Sequence, residues 1–364
     1  MIRTLDLLHA YDGGVRFEIT ELQENEPVVA GLTDRSFPSA VAGLERRPPA
    51  LVPWWTMVAP SRALRRGGIR RFDFGDIPLV LFRGRSDGVV RAITAHCLHQ
   101  GVDLSRGSVV GDALRCPLHY WEYTGCSVKI PGSARVPPPL PAMWTAVERD
   151  GMIFLCPGTA PPDPPSFRTM AHEDLYFLEG PPVELDCPWF VPVANAFDMT
   201  HLNTVHHRQL TREPVVSSPD RMTFVLEYST EVTGDSVSDR IMRALSNNHI
   251  DATVTCSGTM VIIEARAGRH RSYMMVSLRP TAAGGVSFLP LYAVPRDRAG
   301  LHVVRARAAR TLFNAFLMRD VDALRGIRFP EQYVDARDET INSCYRHLCQ
   351  LPEYRNGEHL SEER

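Results

Sequence analysis

Two short segments each bring a thiol and an imidazole together: Cys97-Leu98-His99 and, sixteen residues later, Cys116-Pro117-Leu118-His119. Each pair puts one thiolate and one imidazole at the tip of a loop. Two such loops can clamp a [2Fe–2S] cluster, with both Cys on one iron and both His on the other. Neutral imidazoles in place of two anionic thiolates lower the cluster's negative charge and raise its potential. A structural zinc site uses the same kinds of donor atom. Its common finger spacing pairs Cys with Cys and His with His, unlike the order here.

A second constellation follows at Asn195-Ala196-Phe197-Asp198-Met199-Thr200-His201-Leu202-Asn203-Thr204-Val205-His206. Two imidazoles near a helix end, plus one carboxylate, make a facial triad for Fe(II) and leave the opposite face open to O2. On an ideal helix His201 and His206 lie ~140° apart, so the helix is expected to end or bulge between them. Taken alone, two histidines at this spacing are as readily core or surface residues, and His207 stands beside them as a competitor.

The carboxylate must come from elsewhere. In the expected helix Thr311 to Ile327, residues Phe313, Phe316, Leu317, Leu324 and Ile327 form one apolar stripe. Asp320 falls in the middle of it, whereas Asp322 points ~200° away. A carboxylate on an apolar face is costly unless it is paired or bound to a metal. Asp320 is therefore the candidate third ligand, and a buried pair with an Arg such as Arg279 is the alternative.

The wider text around the first pairs, His96-Cys97-Leu98-His99-Gln100-Gly101 and Cys116-Pro117-Leu118-His119-Tyr120-Trp121-Glu122-Tyr123 with Gly125 and Ile130-Pro131-Gly132, resembles the Rieske domain over roughly residues 54 to 157. Val102 and Leu118 stand where respiratory-complex members carry a disulfide, so the site resembles the disulfide-free type of oxygenases and their ferredoxins. Gln100 replaces a usual Arg and Tyr120 a usual Gly; neither is a ligand. The second constellation is similar to the Asn-x-x-Asp-x-x-His-x-x-x-x-His motif of Rieske non-haem iron oxygenases. The resemblance implies that Cys97, His99, Cys116 and His119 hold the cluster, and that His201, His206 and a late-helix Asp, here Asp320, hold iron. It further implies that Asp198 links the iron to a cluster histidine of a neighbouring subunit in a head-to-tail homotrimer, and Asn195 three residues before Asp198, with the 364-residue length, resembles single-subunit members more than ring dioxygenases. A looser likeness to arylamine N-oxygenases of the aminopyrrolnitrin type lies in the Rieske stretch and in Arg319-Asp320-Val321-Asp322.

These loops need a scaffold. Short apolar runs punctuated by Gly and Asp (Ile77 to Phe82, Val89 to Ala95, Ala113 to Cys116, Met152 to Cys156) read as a small all-β unit. The Pro-rich stretch Ala160 to Ser166 reads as a domain boundary. Beyond it, Met222 to Thr233, Ala252 to Ala265, Ser272 to Pro280 and Val286 to Val294 read as long strands of one antiparallel sheet. Helices are expected at about Val193 to His206 and Val304 to Ile327. The expected class is α+β: an extension at residues 1–50 with a short strand at Phe17 to Leu22, an all-β Rieske domain at 51–160, and a helix-grip catalytic domain at 161–364. Phe197, Asn203, Val205, Met260, Ile262, Leu291, Phe313 and Phe316 could line a pocket, though each is equally explained as core.

Bulk properties narrow the setting. The 364 residues suggest two domains. Forty basic against 42 acidic residues, a net charge of −2, argue against nucleic acid or an anionic membrane as partner. The pairs Arg46-Arg47, Arg65-Arg66 and Arg70-Arg71 read as solvated surface, with a docking patch for an acidic redox protein as the alternative. Eight scattered cysteines favour metal ligands and buried thiols over disulfides. No signal-peptide pattern or membrane-length apolar run is visible, so the cytoplasm is expected. A cluster and Fe(II) can each deliver one electron towards O2. No nucleotide fingerprint or full ferredoxin cysteine set is visible, so electrons are expected from a separate ferredoxin or reductase. The expected activity is monooxygenation of a small aromatic or alicyclic molecule, with N-oxygenation or oxidative cyclisation as alternatives within the family. An electron carrier that has kept only the cluster is the reading from another class.

Overall fold

A computed structural model describes residues 47–133, 144–158, 163–328 and 339–354. The expected strand Phe17 to Leu22, most of the extension and the Pro-rich boundary from Ala160 to Pro162 lie outside these residues.

The first half is built on a six-stranded antiparallel sheet, in the order Thr56–Pro60, Met152–Pro157, Trp144–Arg149, Val90–Thr94, Ile77–Arg83, Ile69–Phe74. Strand Ile77–Arg83 reads as a continuous apolar run because both of its faces are buried. Leu79 and Leu81 pack with Phe74 and Trp144. Val80 and Phe82 pack on the other side with Leu104, Leu114 and Tyr123. That second cluster belongs to a four-stranded sheet of short strands, Ser108–Val110, Ala113–Arg115, Glu122–Tyr123 and Val128–Lys129. It also takes in Cys97 and Cys116, so the thiols are anchored in a core of their own.

The second half carries an eight-stranded antiparallel sheet. Its order is Leu175–Glu179, Leu291–Pro295, His270–Ser277, Met260–Ala267, Ile250–Ser257, Thr223–Val232, with Arg208–Leu210 and Val215–Asp220 both paired to the last. Side-chain alternation divides its two faces. Met260, Ile262, Tyr273, Met275 and Leu291 pack against Trp55, Met57 and Phe154 of the first half. Val254, Val261, Met274 and Tyr292 face the other way, into the helical side. Five helices are present among the described residues: α1 (Phe190–Ala196), α2 (Met199–Thr204), α3 (Val237–Ser246), α4 (His302–Ala323) and α5 (Glu339–Gln350). The long α4 lies against the sheet, gripped at strands Leu175–Glu179 and Leu291–Pro295. The α+β architecture agrees with expectation.

Four expectations need correction. The run Ser272 to Pro280 leaves the large sheet after Ser277, and Arg279–Pro280 pairs in a three-stranded sheet. The run Ala252 to Ala265 is two strands, turned at Gly258-Thr259. Gly258 takes φ +58°, the first position of a type II′ turn, and Trp54 covers it so closely that a Cβ would sit 2.5 Å from the indole. Gly258→Ala is therefore expected to destabilise the fold by about 1–3 kcal/mol from backbone strain and overpacking, read as a lowered midpoint in urea. The run Val286 to Val294 also breaks. Val286–Phe288 joins a separate three-stranded sheet, and only Leu291–Pro295 enters the large one. Finally, Val193 to His206 is not one helix but parts of α1 and α2, interrupted at Asp198, whose backbone is extended (φ −88°, ψ 104°).

Candidate metal centres

The first centre sits on two loops at one end of the antiparallel strand pair Ser108–Val110 and Ala113–Arg115, one preceding Ser108 and the other following its register partner Arg115. Each loop is closed by its own backbone. Cys97 N–H donates to Val102 O (2.9 Å), Gly101 N–H to Cys97 O (2.8 Å) and Cys116 N–H to Trp121 O (2.8 Å). The chain turns at Gly101 (φ +69°) and Tyr120 (φ +60°). Tyr120 thus occupies the left-handed region where glycine is favoured, and the Arg115 guanidinium lies 5.8 Å from its ring centre.

Loop closure brings the four sequence-derived candidates together. Cys97 and Cys116 are buried, while His99 and His119 are exposed. Their Nδ1 atoms face each other at 3.1 Å, and Trp121 stacks on His99 with centroids 4.9 Å apart. Burial pushes the Cys116 thiol up, while the backbone amides of Leu118 and His119 favour its thiolate. Buried sulfurs and outward imidazoles suit a cluster that accepts electrons at the protein surface through its histidine side. Tyr123 escaped the sequence analysis as a site residue. Its hydroxyl donates to Cys97 Sγ (3.0 Å) and accepts from Leu98 N–H (3.0 Å). Hydrogen bonds to cluster sulfurs stabilise the more negative, reduced state. Tyr123→Phe should therefore lower the midpoint potential in a spectroelectrochemical titration, with cluster content unchanged.

The second centre is assembled by three elements. Asp198 caps α2, its Oδ1 accepting His201 N–H at 2.8 Å, which orients His201 in the first turn. Helix α2 ends at Thr204, and His207 takes φ +53°. That termination swings His206 round to the same side as His201, as the ~140° offset required. From α4, Asp320 completes the group. His201 Nε2 and His206 Nε2 each lie 2.7 Å from Asp320 Oδ1, and Asn195 Nδ2 donates to that oxygen at 3.1 Å. His207 is exposed and outside the group. Arg279 reaches Ser287 instead of Asp320, and Asp322 is exposed beside Arg325.

Burial alone would raise the Asp320 carboxyl, but hydrogen bonds and charge from His201 and His206 outweigh it and hold it below the usual range. Burial pushes His206 down, towards neutral imidazole, against the pull of Asp320. Ionised carboxylate and neutral imidazole are the protonation states that bind a divalent metal. With the Nε2 atoms unprotonated, the two imidazoles and the Asp320 oxygen would offer three donor atoms to one ion, all within 4.8 Å of one another. The donor set, two nitrogens and an oxygenate, fits ferrous iron with open positions.

The supports of His206 were missed in the sequence. Its ring, 1% exposed, stacks on Phe316 at 3.4 Å and 4°. Its Nδ1 has no protein partner among the described residues. Arg208 N–H donates to the carbonyls of His206 (2.9 Å) and His207 (3.2 Å) and to Asp239 Oδ1 (2.9 Å). Ser236 accepts from Asp239 N–H at the start of α3. The Ser236-Val237-Ser238-Asp239 run, a cap followed by an acid three residues on, was the available signal.

The triad opens into a cavity of about 520 Å³ between α4 and the sheet. Of the eight residues proposed from sequence, Phe313 and Phe316 line it. Met260, Ile262 and Leu291 lie on the other face of the sheet, Phe197 is core, Asn203 is exposed, and Val205 is not at the wall. The cavity takes the alternate residues Ile263, Ala265 and Met274. A one-residue error of parity exchanges the faces of a strand.

The Rieske [2Fe-2S] domain family matches residues 54–140. Cholesterol 7-desaturase of Bombyx mori is 31% identical over 174 residues, 45% of this chain and 37% of that protein. The 3-ketosteroid-9-alpha-monooxygenase oxygenase component of Rhodococcus rhodochrous is 34% identical over 116 residues, 30% of this chain and 29% of that protein. The matches therefore span well under half the length of either relative. Among solved structures, dicamba monooxygenase bound to dicamba superposes with a TM-score of 0.56 at 22% identity, covering 82% of this chain and 96% of that one. A Pseudomonas putida CBB5 NdmA variant with caffeine gives 0.60 at 17% identity, covering 81% and 89%. Residues 54–140 thus match the Rieske [2Fe–2S] domain, part of the chain is similar to a relative named as a monooxygenase oxygenase component, and both halves share the fold of dicamba monooxygenase.

Proposed function

We propose that this chain is the oxygenase component of a Rieske non-haem iron system and monooxygenates an apolar alicyclic or aromatic molecule. Cys97, His99, Cys116 and His119 would hold the [2Fe–2S] cluster, and His201, His206 and Asp320 the mononuclear iron. The observation that carries this reading is the convergence of two imidazole Nε2 atoms, each at 2.7 Å, on one Asp320 oxygen at the wall of the cavity. Bound there, iron would supply O2 binding, and the cluster the electrons delivered from outside the chain. The protein's own part is positional. The Asn195 amide fixes the Asp320 carboxylate, Phe316 sets the plane of His206, and the apolar walls exclude water from the reacting carbon. The sequence relatives are named for sterol and steroid oxidation, which favours an alicyclic substrate over a single aromatic ring.

Partners belong to the same reading: an external ferredoxin or reductase, and a homotrimer in which Asp198 relays between one protomer's iron site and its partner's cluster. The half-buried Asp198 carboxylate lies at the cavity wall, where such a relay needs it. No helix among the described residues is long and apolar enough to cross a membrane, consistent with a cytoplasmic setting. A pure electron carrier would have no use for the buried triad. Reconstitution with a surrogate ferredoxin and reductase tests the proposal, scored by oxygen uptake and product mass. One oxygen atom incorporated from 18O2 is expected. Uptake that yields only peroxide with every apolar candidate would contradict it.

A further inference from the structure

The cavity that starts at the triad is long. Its wall on α4 runs from Asp320 through Phe316 and Ala309 to Arg305, residues four or seven apart along one face. Arg305 precedes Asp320 by fifteen residues, so that face extends about 22 Å at ~1.5 Å per residue. The sheet side is widened by small residues, Ala252, Ala265 and Ala267. A volume of about 520 Å³ falls within the roughly 300–1,000 Å³ that houses a drug-sized ligand, and its shape calls for an elongated one.

Charge along this channel is uneven. At the triad end two of the three lining acids are matched by cations or imidazoles, Asp239 by Arg208 and Asp320 by His201 and His206, while Asp198 caps α2. The far end is cationic. Arg305 lines it from the first turn of α4, and Arg269 and His270 line it from the turn that joins strands Met260–Ala267 and His270–Ser277. The first turn of α4 carries no acid, so the positive end of the helix dipole adds to this field. Asp297 is the acid nearby, and it is shared between Arg305 (2.8 Å) and His302 (3.8 Å). Arg269 has no hydrogen bond or ion pair among the described residues.

Resting on the oxygenase reading, we propose that the substrate is an elongated polycyclic apolar acid, bound with its carboxylate at Arg269 and Arg305 and its oxidised carbon at the other end of the channel, near Asp320. Arginine suits this role because its planar donor fork matches a carboxylate and stays charged. The apolar body would fill the alanine-lined middle, and the fixed distance between the two ends would select which carbon meets the iron site.

Calorimetric titration of the purified, iron-loaded protein tests this without turnover. The probes are a tetracyclic steroid carboxylic acid, its primary amide, and benzoate as a short acid. The steroid acid is expected to bind about tenfold or more tighter than its amide, through charge-assisted hydrogen bonds, and tighter than benzoate by a larger factor. Arg269→Gln, a change at an exposed turn, should remove most of that preference while leaving amide affinity within about twofold; adding Arg305→Gln should abolish it. Equal binding of acid and amide, or a preference that survives both substitutions, would overturn the carboxylate anchor. Benzoate binding as tightly as the steroid acid would overturn the elongated channel. Iron and sulfide content of the same sample separates the two ideas: a full complement with no preference sinks only this inference, whereas cluster iron alone sinks the oxygenase reading itself.

Discussion

Asp320→Ala is expected to cost more than about 100-fold in turnover, beyond the ~10–100-fold typical of losing a residue that merely supports a metal ligand. The reason is geometric. Asp320 Oδ1 is the point on which His201, His206 and Asn195 all converge, and among the described residues no other acid takes part in the group. Without it two imidazoles remain, too few donors to hold a ferrous ion in competition with water. The cluster loops share no side chain with this site, so the visible spectrum of the cluster should be unchanged. Chemical analysis should find the iron content falling from about three to about two per two acid-labile sulfides. Unchanged turnover, or an unchanged iron content, would remove Asp320 from the ligand set.

The second large effect concerns stability. Asp239→Ala leaves the Arg208 guanidinium buried without its carboxylate, in a pair whose side chains are only 8% and 1% exposed. Breaking one partner of a buried pair costs about 3–5 kcal/mol, read as a large drop in melting temperature. Arg208 also clamps the carbonyls of His206 and His207, so iron affinity should fall in parallel. Asp239→Asn keeps a hydrogen-bonding oxygen and should lose less. The effect has a defined pH dependence. Burial raises the Asp239 carboxyl, but Ser236 and Arg208 outweigh it and hold it below the usual range. A depressed carboxylate stabilises the fold above its unfolded value of about 3.9 and loses that contribution as pH falls through the folded value. The gap between wild type and Asp239→Ala should therefore be full near neutrality and narrow in acid. A gap independent of pH would mean that the carboxylate's charge is not what matters.

What was legible in the chain follows from locality. The two Cys-His pairs lie on tight loops, and neighbours in sequence remain neighbours in space. Asp320 was legible because one acid interrupted an apolar helical stripe, and its helix grips the sheet as that stripe requires. The helix end between His201 and His206 followed from angle alone. Other features depend on contacts between distant segments. The parity of the cavity wall is set by which face of the sheet packs on Trp55 and Met57, and alternation does not say which face that is. Helix α3 inverts the usual pattern: Val237 and Ile241 are exposed while Asp239 is buried, because Arg208 pairs with it from across the fold. Helix α5 carried a readable stripe, Ile341, Cys344 and Leu348, and was overlooked because its interval contains few strong helix formers. Tyr123 and Phe316 gained their roles only when the loops and α4 came together.

Oxygenase activity requires a third iron, outside the cluster, and anomalous diffraction locates it directly. Crystals of the protein purified with iron, measured on either side of the iron absorption edge, should show two iron peaks between the Cys97 and Cys116 loops and a third bounded by His201, His206 and Asp320. No third peak there, or one that persists only at the zinc edge, would contradict the oxygenase reading.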